Sequence, residues 1–121
     1  MSYKIDIHPS DTLRIIFSGR VTGEEIKSVR ENAMAMVRAN RLNHIYCDLR
    51  NAIIDIKKIE LFNYAASKKK IYQNISKTAI IYSSQKHNID DLSMYANSAN
   101  RQGFKVKLFN NSSEASKWLK F

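Results

Sequence analysis

The seven residues 76–82, Ser-Lys-Thr-Ala-Ile-Ile-Tyr, decide the fold class. Their centre, Ala79-Ile80-Ile81, is a short continuous apolar run, which is typical of an interior parallel strand covered on both faces. Apolar residues at helical spacing come before it, within 59–66, and after it, from 89 to 99. Because strands that alternate with helices pair in parallel through right-handed crossovers, the chain is predicted to be an α/β protein.

Towards the N-terminus, the pattern predicts two strands, a helix and a third strand. Residues 3–8 alternate between apolar and polar with period two, and a turn at 8–11 leads to a second hairpin arm at 13–17, ended by Ser18-Gly19. Thr22 and Glu25 have the spacing of a capping box for the first helix. The third strand is predicted at 44–49, after which 50–52 leave the sheet.

Towards the C-terminus, the pattern predicts two helices around the 76–82 strand, then an edge strand and a last helix. Asp55 is predicted to cap the second helix, which runs to about Tyr72 or Gln73, and a residue near Asn88 caps the third, which ends at Gly103. Apolar residues and lysines alternate at 104–109, as in a protected edge strand. Asn111 and Glu114 have capping-box spacing for the last helix.

The predicted fold is a two-layer α/β domain that spans residues 1–121. It has a five-stranded, mostly parallel sheet with an N-terminal antiparallel hairpin, and four helices mainly on one face. The single cysteine, Cys47, is predicted to be a small core side chain in a reducing compartment, and a cytoplasmic location is expected. No apolar run approaches the length of about 20 residues that spans a bilayer.

Several segments resemble the STAS-like, or SpoIIAA-like, family, which is named for sulfate transporters and anti-sigma-factor antagonists. They are 19–25 (Gly-Arg-Val-Thr-Gly-Glu-Glu), 48–52 (Asp-Leu-Arg-Asn-Ala), 103–109 (Gly-Phe-Lys-Val-Lys-Leu-Phe), Glu114-Ala115 and Trp118-Leu119. The resemblance implies a non-enzymatic module that binds partner proteins. In the sigma-factor branch, a Ser or Thr at the start of the helix after the third strand is phosphorylated. Residues 48–58 contain no hydroxyl side chain, so the phosphorylation switch is not expected here. A second branch has been likened to lipid-binding folds, which leaves a ligand role open.

The sequence shows no catalytic constellation. It has no glycine-rich phosphate loop, and His8, His44 and His87 lack the spacing and the companions of a metal site. We therefore expect no enzymatic activity, no cofactor and no metal.

The net charge of +9 is concentrated in residues 57–121, which contain twelve Lys and Arg against four Asp and Glu. That asymmetry favours an anionic partner. Nucleic acid is the less favoured one, because the aromatics at 104–109 are predicted to face the core.

Two surfaces are candidates for binding. Beyond the carboxyl ends of the strands we expect Arg50 and Asn51 with Ser83, Ser84 and His87, a setting for a small anionic or lipid-like ligand. Turn and cap chemistry is the alternative, and it explains most of the same residues.

The other surface is the second helix with the loop before it, which we take as the leading candidate. Ile59, Phe62, Ala65 and Ala66 form its predicted inward stripe, and Leu61, Tyr64, Lys68 and Ile71 form another face. With Asp55, Lys57 and Lys58, that other face is predicted to contact a protein partner, a second copy of the chain or an anionic membrane surface. The alternative is that the apolar residues of both faces belong to one wide core-facing surface and that the lysines are simply exposed to solvent. A protein-interaction or regulatory module is the leading function, and ligand binding at the strand ends is the alternative.

Overall fold

Five strands and four helices alternate in a computed structural model that describes residues 3–7, 11–71 and 75–120, with the side chains of 65–71 left out. The elements are β1 (Tyr3–Ile7), β2 (Thr12–Thr22), α1 (Gly23–Asn40), β3 (His44–Asp55), α2 (Lys58–Ile71), β4 (Lys77–Ile81), α3 (Ile89–Arg101), β5 (Lys105–Phe109) and α4 (Ser112–Leu119). The predicted turn residues His8–Ser10 and the predicted helix end at Tyr72 or Gln73 fall outside the described residues.

The strands form one sheet in the order β1-β2-β3-β4-β5. β1 is antiparallel to β2, and every other neighbouring pair is parallel. β4 lies inside the sheet, with Ile80 facing one core cluster and Ala79 and Ile81 facing the other. The predicted fold class is therefore confirmed, and so is the assignment of the apolar run at β4 to an interior strand covered on both faces.

The helices divide unequally between the two faces of the sheet. α1 and α3 bury Val29, Ala33, Leu92 and Ala96 in the larger core cluster, and α2 packs mainly against α3 on that side. α4 covers the opposite face, where its buried side chains meet Tyr46, Ala79, Ile81 and Phe109. Three of the four helices thus share one face, in agreement with the prediction.

Two strands are longer than predicted. β2 continues past Ser18-Gly19 to Thr22, and β3 continues to Asp55. The pairing register shifts between Ile16 and Ser18, where β3 has one residue more than β2, so the ladder passes through a bulge and continues where the sequence predicted an end. Gly19, just beyond the bulge, has φ 71°. β1 begins opposite Phe17 and β4 stops opposite Asp48, so within the described residues, 18–22 and 51–55 pair only with each other. We call this two-stranded projection the β2–β3 arm.

The predicted cap of the second helix is wrong. Asp55 ends β3 and forms an ion pair with Arg20 of the neighbouring strand, whose Nε donates to its Oδ2 at 2.8 Å. The first α2 hydrogen bond instead reaches the carbonyl of Lys57, to which the Leu61 N–H donates at 3.1 Å. Pairing with the neighbouring strand determines the position of Asp55. Capping preferences depend only on residues close in the sequence, so they do not reveal Arg20 as its partner.

The other caps agree better with their predictions. Thr22 occupies the N-cap of α1, but its side chain makes no capping hydrogen bond. Asn88 and Asn111 cap α3 and α4 through their side-chain oxygens, and Gly103 follows the end of α3 with φ 101°. Cys47 is half-buried and packs against the larger core cluster. In the part of the chain that the structure describes, no helix has both the length and the apolar character needed to cross a bilayer.

Candidate functional site

Three segments meet at the end of the sheet where the β2–β3 arm projects: the arm itself, the start of α2 and the start of α3. His87, just before α3, is 2.9 Å from the Ala52 carbonyl oxygen of the arm through its Nε2. Lys58 at the start of α2 forms an ion pair with Asp91 of α3, with 3.5 Å between Nζ and Oδ1. These two contacts hold the three segments next to one another.

His87 has a structural task in this arrangement. Its Nδ1 accepts a hydrogen bond from the Ser83 backbone N–H at 2.9 Å. A ring nitrogen that accepts carries no proton, so Nε2 carries it and donates to the Ala52 carbonyl. Both imidazole nitrogens are therefore used in closing the turn after β4 onto the arm. Ser83 is half-buried and Ser84 is exposed in the same turn.

Large apolar side chains are exposed around this junction. Ile53 of the arm is 61% exposed, Ile59 and Phe62 of α2 are 62% and 46% exposed, and Ile89 of α3 is 40% exposed. Lys57 and Lys58 lie beside them and are also exposed. Exposed apolar groups with a polar rim are characteristic of interaction surfaces. We call these residues the edge patch: Ile53, Lys57, Lys58, Ile59, Phe62 and Ile89.

The orientation of α2 differs from the prediction. Ile59 and Phe62, predicted to point inward, are exposed, and the half-buried Leu61 and Tyr64 face the sheet side instead. The side chains of Ala65, Ala66 and Lys68 lie outside the described ones. Apolar residues occupy more than one face of α2, so helical periodicity does not identify the buried face.

Tyr64 joins α2 to α1. Nη2 of Arg30 donates to the Tyr64 carbonyl at 2.9 Å, and the Arg30 guanidinium carbon lies 5.1 Å from the centre of the Tyr64 ring. The Tyr64 hydroxyl also lies 3.4 Å from the Gly23 carbonyl oxygen, to which it donates. Burial, followed by the nearby charge of Glu60, raises the pKa of the Tyr64 hydroxyl. Tyr64, predicted to meet a partner, here meets its own chain.

Arg50 and Asn51 do not follow the third strand, as predicted, but lie within it. Arg50 donates to both carboxylate oxygens of Asp48, at 3.0 Å from Nε and 2.8 Å from Nη2. Burial by itself would raise the pKa of Asp48, but the hydrogen bonds and charge of Arg50 together lower it below its ordinary value of 3.8. Asn51 is exposed at the start of the arm, opposite Ser18.

The structure thus brings together only part of the predicted site. Asp55, Lys57, Lys58 and His87 belong to segments that meet at the junction, whereas the guanidinium of Arg50 is held by Asp48. Sequence reasoning missed Ile53 and Ile89. Three isoleucines among residues 53–56 were the available signal, because loops rarely place so many together.

Two cavities lie next to α2. An open groove of about 730 Å³ runs between α1 and α2, from Thr22 to Met34 on one side and along Glu60 and Tyr64 on the other. A smaller cavity of about 130 Å³ lies beneath α2. Neither cavity is lined by Arg50, Ser83, Ser84 or His87. Within residues 3–7, 11–71 and 75–120, no group of three His, Cys, Asp or Glu side chains could hold a metal ion.

The strand order, the single antiparallel pair and the division of the helices match a known architecture. An uncharacterised protein of the DUF3478 family from Shewanella loihica PV-4, described as having a SpoIIAA-like fold, superposes with a TM-score of 0.64 at 16% identity over 97% of this chain and 91% of that one. This chain has a SpoIIAA-like fold.

Two anti-sigma factor antagonists share the SpoIIAA-like fold with this chain. SpoIIAA in its unphosphorylated form gives a TM-score of 0.64 at 8% identity, covering 98% of this chain and 97% of that one. The antagonist from Mycobacterium paratuberculosis gives 0.63 at 12% identity, covering 98% and 93%. None of these three neighbours is a known enzyme. No protein-family model matches the chain, and no curated protein sequence matches it.

Proposed function

We propose that this chain is a non-enzymatic module that binds a partner protein through the edge patch. The observation that carries the proposal is the exposure of Ile53, Ile59, Phe62 and Ile89, between 40% and 62%, on three segments that the His87–Ala52 and Lys58–Asp91 contacts hold next to one another. Burial of such side chains against a partner is favourable by about 25 cal/mol for each Å² of apolar surface. The SpoIIAA-like fold, which anti-sigma factor antagonists also have, is compatible with this role.

The charge around the patch suggests the chemistry of the partner. Lys57 and Lys58 lie beside the exposed apolar groups, and residues 57–121 contain eight more basic than acidic side chains. Complementary charge increases association rates and excludes wrong partners, whereas apolar anchors supply most of the affinity. The partner is therefore expected to have an apolar centre with an acidic rim.

The patch is supported by the fold, so its side chains need little ordering when a partner binds. The arm is fixed by the Arg20–Asp55 ion pair and by the His87 hydrogen bond to Ala52, and α2 is fixed to α3 through Lys58 and Asp91. A surface that is ordered in advance loses less entropy on association. We infer that partner binding proceeds without a phosphorylation switch in residues 48–58, which contain no hydroxyl side chain.

Affinity capture with matched variants tests the proposal. The wild-type chain, an Ile59→Ser/Phe62→Ser variant and a Lys105→Ser/Lys107→Ser control on the outer edge of the sheet are immobilised, and captured proteins are quantified by mass spectrometry. We expect at least one protein to be retained by the wild type and the control and to be depleted about tenfold or more by the α2 variant. Identical capture by all three would contradict the proposal.

Two further measurements separate partner classes. Sedimentation of the purified chain shows whether a second copy covers the patch, in which case the α2 variant would become monomeric. Cosedimentation with anionic phospholipid vesicles shows whether a membrane surface covers the patch. In that case a Lys57→Glu/Lys58→Glu variant would lose vesicle binding. Either result, without a specific captured protein, would replace the proposed partner.

A further inference from the structure

We propose that the cavity beneath α2 binds a small, uncharged, mainly apolar molecule that carries one hydrogen-bonding group. The cavity has a volume of about 130 Å³ and lies between the sheet and the helices α1, α2 and α3. It is separate from the edge patch, which is on the outer side of α2. The inference therefore does not depend on the proposed protein partner.

The lining of the cavity sets the size and polarity of the molecule. Side chains from β2, β3 and β4 form its floor and side chains from α1 and α3 form its walls: Ile15, Phe17, Val29, Ile45, Leu49, Ile80 and Leu92. All of these are buried. The cavity is partly open to solvent, and a closed apolar cavity of about 150 Å³ with similar lining takes up benzene. The volume here suits a six-membered ring with one or two further atoms.

The position of α2 explains why the space is unfilled. α2 packs mainly against α3, and of its described side chains only Leu61 and Tyr64 line the cavity. Ile59 and Phe62, the other bulky apolar residues at the start of the helix, are turned outward. Protein interiors usually contain few voids larger than a water molecule, because side chains interdigitate. Of the four large apolar or aromatic side chains described in α2, only two point toward the sheet, which leaves space beneath the first half of the helix.

A single buried hydroxyl gives the cavity a polar point. Thr78 of β4 lines the cavity, and its Oγ1 is buried without a hydrogen-bond partner among the described residues. Most buried polar side-chain atoms in proteins have a partner, and one without a partner calls for an explanation. A hydroxyl or carbonyl group on a bound molecule would supply the missing hydrogen bond.

The surrounding charges favour an uncharged molecule over a carboxylate. Among the side chains that the structure describes, Arg30 is the one charged group that lines the cavity, and its guanidinium lies against Tyr64, through a hydrogen bond of 2.9 Å and the ring contact. The adjoining groove adds Glu24, Glu31 and Glu60 against one further cation, Lys27, so its described charges disfavour an anion approaching Arg30. A fatty acid or phosphate therefore fits this site less well than a neutral alcohol or ketone.

Titration of the purified chain with benzyl alcohol, followed by amide NMR, tests the site. We expect saturable shifts at residues that line the cavity, including Thr78, Ile80 and Leu92, together with a higher melting temperature, because a ligand that binds the folded state stabilises it. Toluene is the matched probe without a hydroxyl group. Shifts that do not saturate, or that spread over the edge patch instead, would overturn the proposal.

Variants of the lining give the second test. Leu61→Trp fills the cavity and should abolish benzyl alcohol binding, whereas Phe62→Trp, on the outer side of the same helix, should leave it unchanged. Thr78→Val has nearly the same shape and should weaken benzyl alcohol binding about fivefold without affecting toluene. If Leu61→Trp does not fold, the Thr78→Val comparison decides alone. Equal losses for both probes would overturn the assignment of Thr78, and unaltered binding to a folded Leu61→Trp chain would overturn the site.

Discussion

The sheet face opposite α1, α2 and α3, which α4 covers only in part and which we call the open face, differs from the edge patch in what it exposes. On the open face of β1–β3, Arg14 pairs with Asp6 at 2.8 Å and Arg50 pairs with Asp48 at 2.8 Å. The edge patch instead exposes isoleucine and phenylalanine side chains. The first surface satisfies its charges internally and gains little from a partner. The second has apolar groups that only a partner can remove from water.

This difference shows that the charge of a residue is a poor guide to its availability. Arg50 is the arginine that the sequence places at the strand ends, but its guanidinium already donates to both oxygens of Asp48. An anionic ligand would have to compete with that carboxylate. The exposed isoleucines have no charged or reactive group, yet they indicate the more promising surface. A partner can bury them without displacing a hydrogen bond, whereas an anion at Arg50 would have to displace Asp48.

The largest expected effect concerns the open face. Arg50→Met keeps the aliphatic stem but leaves the buried Asp48 carboxylate without its guanidinium, so the free energy of unfolding should fall by about 1–3 kcal/mol. Urea denaturation at neutral pH measures it. The double variant Asp48→Asn/Arg50→Met should recover most of the loss, since no buried charge remains. A loss below about 0.5 kcal/mol for Arg50→Met would mean that the open face is not stabilised by this pair.

The same pair should make the open face sensitive to acid. Because the pKa of Asp48 is lower in the folded chain than its ordinary value of 3.8, the folded state favours the ionised carboxylate. This stabilisation is present above the unfolded-state pKa and disappears as the pH falls through the folded-state value. Asp48→Asn should therefore lose less stability than the wild type between pH 5 and pH 2. The free energy of unfolding of both chains is measured by urea denaturation across that range. Equal losses in the wild type and in Asp48→Asn would contradict the lowered pKa of Asp48.

A smaller effect is expected for the exposed pair of the open face. Asp6→Ala removes the carboxylate that accepts from Nε and Nη2 of Arg14. Both side chains contact solvent, so the loss in the free energy of unfolding should be about 0.2–1 kcal/mol and should shrink in concentrated salt. Denaturation in low and high salt distinguishes this from a packing defect, which salt would leave unchanged.

The smallest effect on stability is expected at the edge patch. Ile59→Ser exchanges a side chain that is 62% exposed, so the free energy of unfolding should change by no more than about 0.5 kcal/mol. The same variant should reduce partner binding strongly, which separates the two surfaces by function as well as by stability. A loss of several kcal/mol would show that Ile59 is packed in solution and would remove it from the patch.

Much of the fold could be predicted because local signals and tertiary packing agree. The apolar run at β4, the Asn88 and Asn111 caps and the stripe of α3 each indicate the element that forms. The ends of β2 and β3 could not be predicted. Ser18-Gly19 and Arg50-Asn51 are locally typical of turns, but pairing between the two strands continues the ladder through both.

The candidate site was predictable only in part. Lys57 and Lys58 lie at the start of α2, where the sequence predicted the second helix and the loop before it. Their charge and their place in the sequence were enough to predict this position. The outward direction of Ile59 and Phe62 is not visible, since α2 has apolar residues on more than one face and its position is set by α3. The segments that contain Ile53 and Ile89 meet α2 through the His87 and Lys58 contacts between residues that are distant in the sequence.

The hydrogen bond from His87 to the arm also bears on aggregation. An unpaired strand edge is a template to which a strand of another molecule can add. From Asn51 to Asp55, β3 has such an edge on the side away from β2, because β4 ends opposite Asp48. The imidazole occupies the Ala52 carbonyl within this edge, so an incoming strand would first have to displace it. The His87 ring thereby protects this edge of the arm from edge-to-edge association with another molecule.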